Sequence, residues 1–228
     1  MVAHCLFEQS GTFKDEFKKL GVEAIDYDCL NDYNQTDVVI DLFHEINMAY
    51  DGKKSIFDNI SQDDIIMAFF PCTRFESQGT MLFRGEAKQF KKWTPLQILE
   101  YNMSLHDELH RNYIVFCKMV HVVLERGLKI VIENPQTQPH YLTNYFCFKP
   151  SIIDYNRRDN GDYYEKPTQY WFFGFEPKQN IIFEPITYVE ERKIHLQKKG
   201  KTRSEIHPQY ASRFIRQFVL DTDIPTRK

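Results

Sequence analysis

Glycine is scarce in this chain, with 9 among 228 residues. The loop after the first apolar run, "FEQSGT", holds only Gly11. It is not a GxGxxG, so a loop that cradles a dinucleotide pyrophosphate is poorly supported. Cysteines are few and scattered: Cys5, Cys29, Cys72, Cys117 and Cys147 are odd in number, and no CxxC pair or Cys/His cluster occurs. That spacing argues against a zinc site and a disulfide framework and fits a reducing cytosol, so a cytoplasmic location is expected. Long apolar runs are missing, and the opening "MVAHCLFEQSG" lacks the cationic start and apolar core of a signal peptide. A membrane partner is therefore not expected. Neither sign of charge dominates: 29 Lys and Arg face 32 Asp and Glu, for a net charge of −3. The balance speaks against a protein that coats nucleic acid by bulk charge but permits a local basic face.

What is present suits one good-sized domain. Hydrophobic residues make up 42% and charged residues 27%, an ordinary globular balance, and 228 residues suffice for a real core. Aromatics are abundant, with 19 Phe and 13 Tyr. Such side chains mostly build cores, although flat rings also stack on bases or adenine.

Apolar runs alternate with helical spacing over the first 135 residues. "VAHCLF", "VEAIDYD", "DVVIDLF", "DDIIMAFF" and "LKIVIENP" predict five strands. "TFKDEFKKLG" spaces Phe13, Phe17 and Leu20 as a helix that stops at Gly21. A long helix is predicted from Thr94-Pro95 to Gly127. Before it, residues 72–93 read as a polar and aromatic loop, long enough to close over a substrate. Strand–helix–strand units of this kind predict an α/β fold: a doubly wound, mostly parallel sheet with helices on both faces. The last third is aromatic and polar, carries the basic run 192–203, and closes with an amphipathic helix over 204–220.

In such a sheet, loops at the carboxyl ends of the strands hold ligands. The second strand ends in Asp26-Tyr27-Asp28, residue types that bond ribose hydroxyls, stack on adenine and hold a turn. Asp41, at the end of the third run, is placed to accept from an adenine amino group. Glu8, in the first loop, repels phosphate and attracts a cation. A sulfonium cofactor, S-adenosylmethionine, fits these acids better than NAD or ATP.

The fourth and fifth strands end at the same edge, in Pro71-Cys72 and in Glu133-Asn134-Pro135. Cysteine there is either a small packing residue or a nucleophile. Arg74, Arg157 and Arg158 are candidates to lower its pKa. A carboxyl group beside it can hold a proton for a heterocyclic ring nitrogen. The pair suggests attack by Cys72 on an electron-poor ring carbon while Glu133 protonates the adjacent nitrogen, which is the chemistry of cytosine C5 methylation. Trp171, Phe172 and Phe173 either stack on a flipped base or fill the core, with the core reading favoured.

Taken in order, "LFEQSGTF", "IDYD", "IDLF", "FFPCTRFES", "IENP", "NRRDNG", "KPTQYWFF" and "RSEIHPQYASRFI" resemble the cytosine-C5 DNA methyltransferase family, in particular its short members of the phage and gut-bacterial type. The resemblance runs over most of the chain. It implies a class I methyltransferase-like fold in one catalytic domain, 1–228, with a reduced substrate-facing insertion over 140–200 and a closing helix over 204–220. It also implies S-adenosylmethionine bound by Phe7, Gly11, Asp26, Tyr27, Asp41 and Pro71. Cys72 would be the nucleophile, Glu133 the ring-nitrogen acid, and Arg157 and Arg158 helpers for the base or its phosphate. The implied partner is nucleic acid, DNA first and possibly single-stranded, with the basic run 192–203 as the candidate phosphate contact. Two alternatives stay open: a relative that modifies a pyrimidine in RNA or a free nucleotide, and a catalytically decayed protein that binds cofactor or nucleic acid. Target sequence and oligomeric state are not legible.

Overall fold

A computed structural model of the chain describes residues 1–76, 79–192 and 205–221. Seven strands form one sheet: β1 (Val2–Leu6), β2 (Glu23–Asp28), β3 (Val38–Val39), β4 (Ile65–Phe69), β5 (Ile130–Pro135), β6 (Ile152–Asp154) and β7 (Thr168–Phe173). Their spatial order is β3-β2-β1-β4-β5-β7-β6. The first five run parallel, whereas β7 runs antiparallel to both β5 and β6. The central strands are apolar on both faces because both faces are covered, as parallel sheets require. All six residues of β5 are buried.

Helices lie on both faces. On one, α1 (Thr12–Lys19) packs with α6 (Pro208–Phe214), and α6 continues into a π-helical stretch, Ile215–Val219. Phe13, Phe17, Tyr210 and Phe214 meet Ala3, Cys5, Met67 and Val131 there. On the other face, α2 (Leu42–Tyr50) and α4 (Pro95–Glu125) cover Leu6, Ile66, Ala68, Ile130 and Ile132. The start of α4 is fixed by Thr94, whose hydroxyl accepts from the Gln97 amide while Gln97 reaches back to the Thr94 amide, with Pro95 in the first turn. Two short helices, α3 (Thr80–Phe83) and α5 (Tyr141–Tyr145), break up the connections before α4 and after β5.

Three expectations change. The run "DVVIDLF" pairs over two residues only, and the helix takes over at Leu42 because Asp41 caps it. The segment 140–200 is not simply an insertion, since it supplies β6 and β7 and so completes the sheet. Residues 72–93 carry α3 and a 3-10 turn at Lys88–Lys92 where a loop was expected. Apart from Arg192, the basic run lies outside the described residues; Arg192 itself pairs with Glu205 and stacks on Tyr163 at 3.7 Å.

No described helix is long and apolar enough to cross a membrane.

At the end of β7, Gly174 turns with φ of 80°, and a Cβ there would stand 2.1 Å from the Leu128 carbonyl oxygen. Backbone blocks that space, so no side-chain shift relieves it. Gly174→Ala is expected to lower stability by about 2–3 kcal/mol, read as a lower urea midpoint with an unchanged m-value. An unchanged midpoint would show that the β5–β7 edge does not constrain this turn.

Candidate active site

One cavity of 1030 Å³ opens at the carboxyl ends of β1, β2, β4 and β5. Its lining includes Phe7, Asp41, Pro71, Cys72, Glu133 and Arg157 from the sequence-based set. Gly11, Asp26, Tyr27 and Arg158 do not line it.

The acids of β2 show why. Asp26 is fully buried, with Lys14 Nζ 2.9 Å from its Oδ2 and the Asp37 amide donating to its Oδ1 at 2.6 Å. It joins α1 to the chain after β2 and has no face toward a ligand. Tyr27 points to the opposite side of the sheet, where its hydroxyl meets His4 Nδ1 at 3.0 Å. Asp28, two residues on, lines the cavity together with Cys29, Leu30, Asp32 and Tyr33. It accepts from the Leu30 amide at 2.8 Å, and burial pushes its carboxyl up from the usual carboxylate range. Asp41 lines the cavity as the cap of α2, accepting through Oδ1 from the Phe43 and His44 amides at 3.0 and 3.2 Å.

The first loop turns sharply, with Phe7 at φ of 60° and its amide bonded to the Tyr27 carbonyl. Phe7, Phe43 and Phe70 form an aromatic wall, with Phe43 and Phe70 stacked at 5.6 Å. Gly11 has φ of 67° and starts α1 rather than touching the cavity. The amide donors of the first turn of α1 are all engaged. Thr12 reaches Ser10 Oγ at 3.5 Å, Phe13 and Lys14 reach the two oxygens of Glu8 at 2.7 and 3.2 Å, and Asp15 reaches the Gly11 carbonyl. A helix start of this kind usually attracts anions, but here a buried carboxylate already occupies it.

At the other end of the cavity, β4 and β5 hold the chemical groups. Phe69 is paired in register with Glu133, and Cys72 follows three residues later. Asn134 fixes the exit of β4: its Nδ2 donates to the Phe70 carbonyl at 2.8 Å, and its Oδ1 accepts from His140 Nε2 at 3.2 Å. Burial holds His140 down to about 4, so it is neutral at physiological pH. The Cys72 thiol donates to Glu76 Oε1 at 2.9 Å, and burial, aided by Glu76, pushes its pKa well up against the opposing pull of Lys166. Glu133 is also pushed up, by burial first, with Lys166 and Arg157 opposing. Burial of this kind favours the protonated form of a carboxyl.

Arg157 is 1% exposed and bound by Asp162 through its Nε and one terminal nitrogen. Its other terminal nitrogen lies 3.8 Å from Glu133, and its guanidinium sits over the Tyr210 ring of α6. Asp162 also accepts the His207 amide at 2.7 Å, which ties α6 to the same arginine. Arg74, expected beside the thiol, is instead committed to Glu108 of α4. Trp171, Phe172 and Phe173 are buried in β7. Sequence reasoning missed Asp28 as the lining acid, and also Glu76, Lys166 and Arg111. The signals available were the "ES" that follows Cys72 and the lysine that opens "KPTQYWFF".

Burial raises Glu8 from the ordinary 4.5 to about 7, against the two amides that lower it. The folded state therefore binds this proton more tightly than the unfolded chain. The stability Glu8 contributes is full below about pH 4.5 and is lost as pH rises through about 7. Urea midpoints for the parent and Glu8→Gln, compared at about pH 5 and about pH 8, should show a smaller fall with pH in the variant. Equal falls would place the titration elsewhere.

Neither a protein-family model nor a curated protein sequence matches this chain.

Proposed function

We propose that the chain transfers a methyl group from S-adenosylmethionine to C5 of cytosine in DNA through a covalent adduct on Cys72. The observation that carries this reading is that Cys72, just past the end of β4, and the buried Glu133 of the adjacent parallel strand β5 line one cavity. The sheet order, with β7 reversed, agrees with the class I methyltransferase fold that the sequence resemblance implies.

The residues fit the cofactor. Asp28 and Asp41 offer carboxylate oxygens for hydroxyl and amino groups, and Phe43 with Leu30 offers apolar surface for a flat ring. Asp28 thus takes the ribose role first expected of Asp26, and Phe43 and Leu30 the adenine contact expected of Tyr27. With α1's first turn filled by Glu8, a phosphate would meet a carboxylate instead of free amides, which favours a cationic cofactor over NAD or ATP. When bound, S-adenosylmethionine supplies an electrophilic methyl group. At about 1030 Å³ the cavity stands at the upper end of ordinary ligand pockets, about 300–1,000 Å³.

Cys72 Sγ adds to C6 of the cytosine. The C5=C6 pair shifts to C4=C5, and N3 takes the proton that Glu133 holds. Arg157, locked by Asp162, keeps its charge near Glu133 and offers donors to the base carbonyl. C5, now electron-rich, accepts the methyl group. Loss of the C5 proton to water then restores the C5=C6 bond, expels the sulfur and returns the N3 proton to Glu133. A base must leave the duplex to reach Cys72, at a cost of a few kcal/mol, which favours single-stranded or distorted DNA.

The test is a denaturing gel of the protein with S-adenosylmethionine and an oligonucleotide that carries 5-fluorocytosine, whose fluorine cannot leave as a proton does. A band of shifted mobility is expected from the parent and none from Cys72→Ser. Glu133→Gln should slow its appearance by roughly 100-fold or more. Absence of the band in a protein that binds the cofactor in calorimetry would refute cytosine in DNA as the substrate.

A further inference from the structure

The thiol at the centre of the cavity is not free at rest. Cys72 Sγ donates to Glu76 Oε1 at 2.9 Å, and the turn that follows the nucleophile builds this contact. The Phe75 and Glu76 amides both bond the Cys72 carbonyl, at 2.8 and 3.2 Å, so the chain folds back and brings Glu76 over the sulfur. Phe75 is buried against Phe70 and Phe116, which anchors the turn in the core.

We propose that Glu76 is the proton acceptor for Cys72, a further catalytic residue of this site. The role rests on the methyl-transfer reading above, because a proton acceptor matters only if the sulfur attacks. As the S–C6 bond forms, the Sγ proton passes to Glu76 Oε1. When the C6–S bond breaks, the leaving thiolate takes that proton back. Glu133 and N3 exchange the second proton, and the C5 proton goes to water, so each turnover releases one proton and both carboxyl groups are regenerated.

The surroundings fit this assignment and leave Glu133 for a separate task. The charged groups around the sulfur are Glu76 on its own turn, Glu133 from β5 and Lys166 from the chain before β7. Arg111 from α4 and Arg157 line the same cavity. Lys166 stabilises negative charge on either sulfur or carboxylate. Glu76 instead opposes a resting thiolate and keeps the sulfur protonated until a substrate carbon is in place. A thiolate formed early would be open to alkylation and oxidation. One carboxylate therefore both suppresses the resting thiolate and removes the proton in the reaction.

These two effects have opposite signs, and that makes the proposal testable. The first measurement is the rate of Cys72 alkylation by iodoacetamide as a function of pH, with mass mapping to separate it from the other four cysteines. Glu76→Gln removes the neighbouring charge, so its alkylation should move to lower pH and run faster than the parent's near neutrality. The second is the rate of adduct formation with the 5-fluorocytosine oligonucleotide, which in Glu76→Gln should fall roughly 100-fold or more. Glu76→Asp should recover part of that rate. A merely structural role would move both rates in one direction and would not be rescued by aspartate. An unchanged alkylation profile, or adduct formation at the parent rate in Glu76→Gln, would overturn the assignment. If the parent alkylates as described but forms no adduct, the methyl-transfer reading falls, and the catalytic role of Glu76 falls with it. The alkylation shift would then establish only the resting Cys72–Glu76 pair.

Discussion

The site depends on one buried hydrogen bond between neighbouring strand ends, from Asn134 Nδ2 to the Phe70 carbonyl. It joins residues 64 positions apart and fixes the point where β4 leaves the sheet. A carbonyl at the end of a buried strand loses its ladder partner and must find another. Asn134 supplies it, and His140, held neutral by burial, orients the amide from behind. Pro71 follows directly and cannot continue the ladder. The chain therefore turns at a defined place and presents Cys72 beside Glu133. Strand pairing brings the two residues near each other, and the asparagine sets the exit.

Around that constraint, charge is distributed by use. Toward β1 and β2 the acids Asp28 and Asp41 line the cavity, and the fully buried acid of β2, Asp26, is paired with Lys14. Toward β4 and β5, burial raises the pKa of both the Cys72 thiol and Glu133. Arg157 retains its charge because Asp162 pairs with it. Asp162 in turn holds the amide of His207, so the closing helix α6 and the arginine are positioned by one carboxylate.

Much of this was legible in the sequence because it follows from periodicity and strand ends. β1, β2, β4, β5, α1 and α4 fall where apolar spacing and caps put them. Cys72, Glu133 and Asp41 reach the cavity because each sits just past an apolar run. The errors have physical causes. In "EAIDYD" two acids two residues apart share a face, and which of them lines the cavity depends on where Lys14 of α1 lands. That contact is invisible in β2 itself. β6 and β7 were missed because their partner is β5, and antiparallel pairing across a chain reversal leaves no local period that names it. Glu76 and Lys166 come from irregular chain, where position is set by turns and not by repeats. Asp41 was assigned to a strand, although a cap and a strand-end acid look alike in one dimension.

The most direct test of the account is nucleoside analysis of DNA incubated with the protein and isotopically labelled S-adenosylmethionine. After complete digestion, the label is expected in 5-methyldeoxycytidine and to be lost in Cys72→Ser. Label in N4-methyldeoxycytidine or N6-methyldeoxyadenosine, or retained in the Cys72→Ser variant, would contradict a mechanism built on this cysteine.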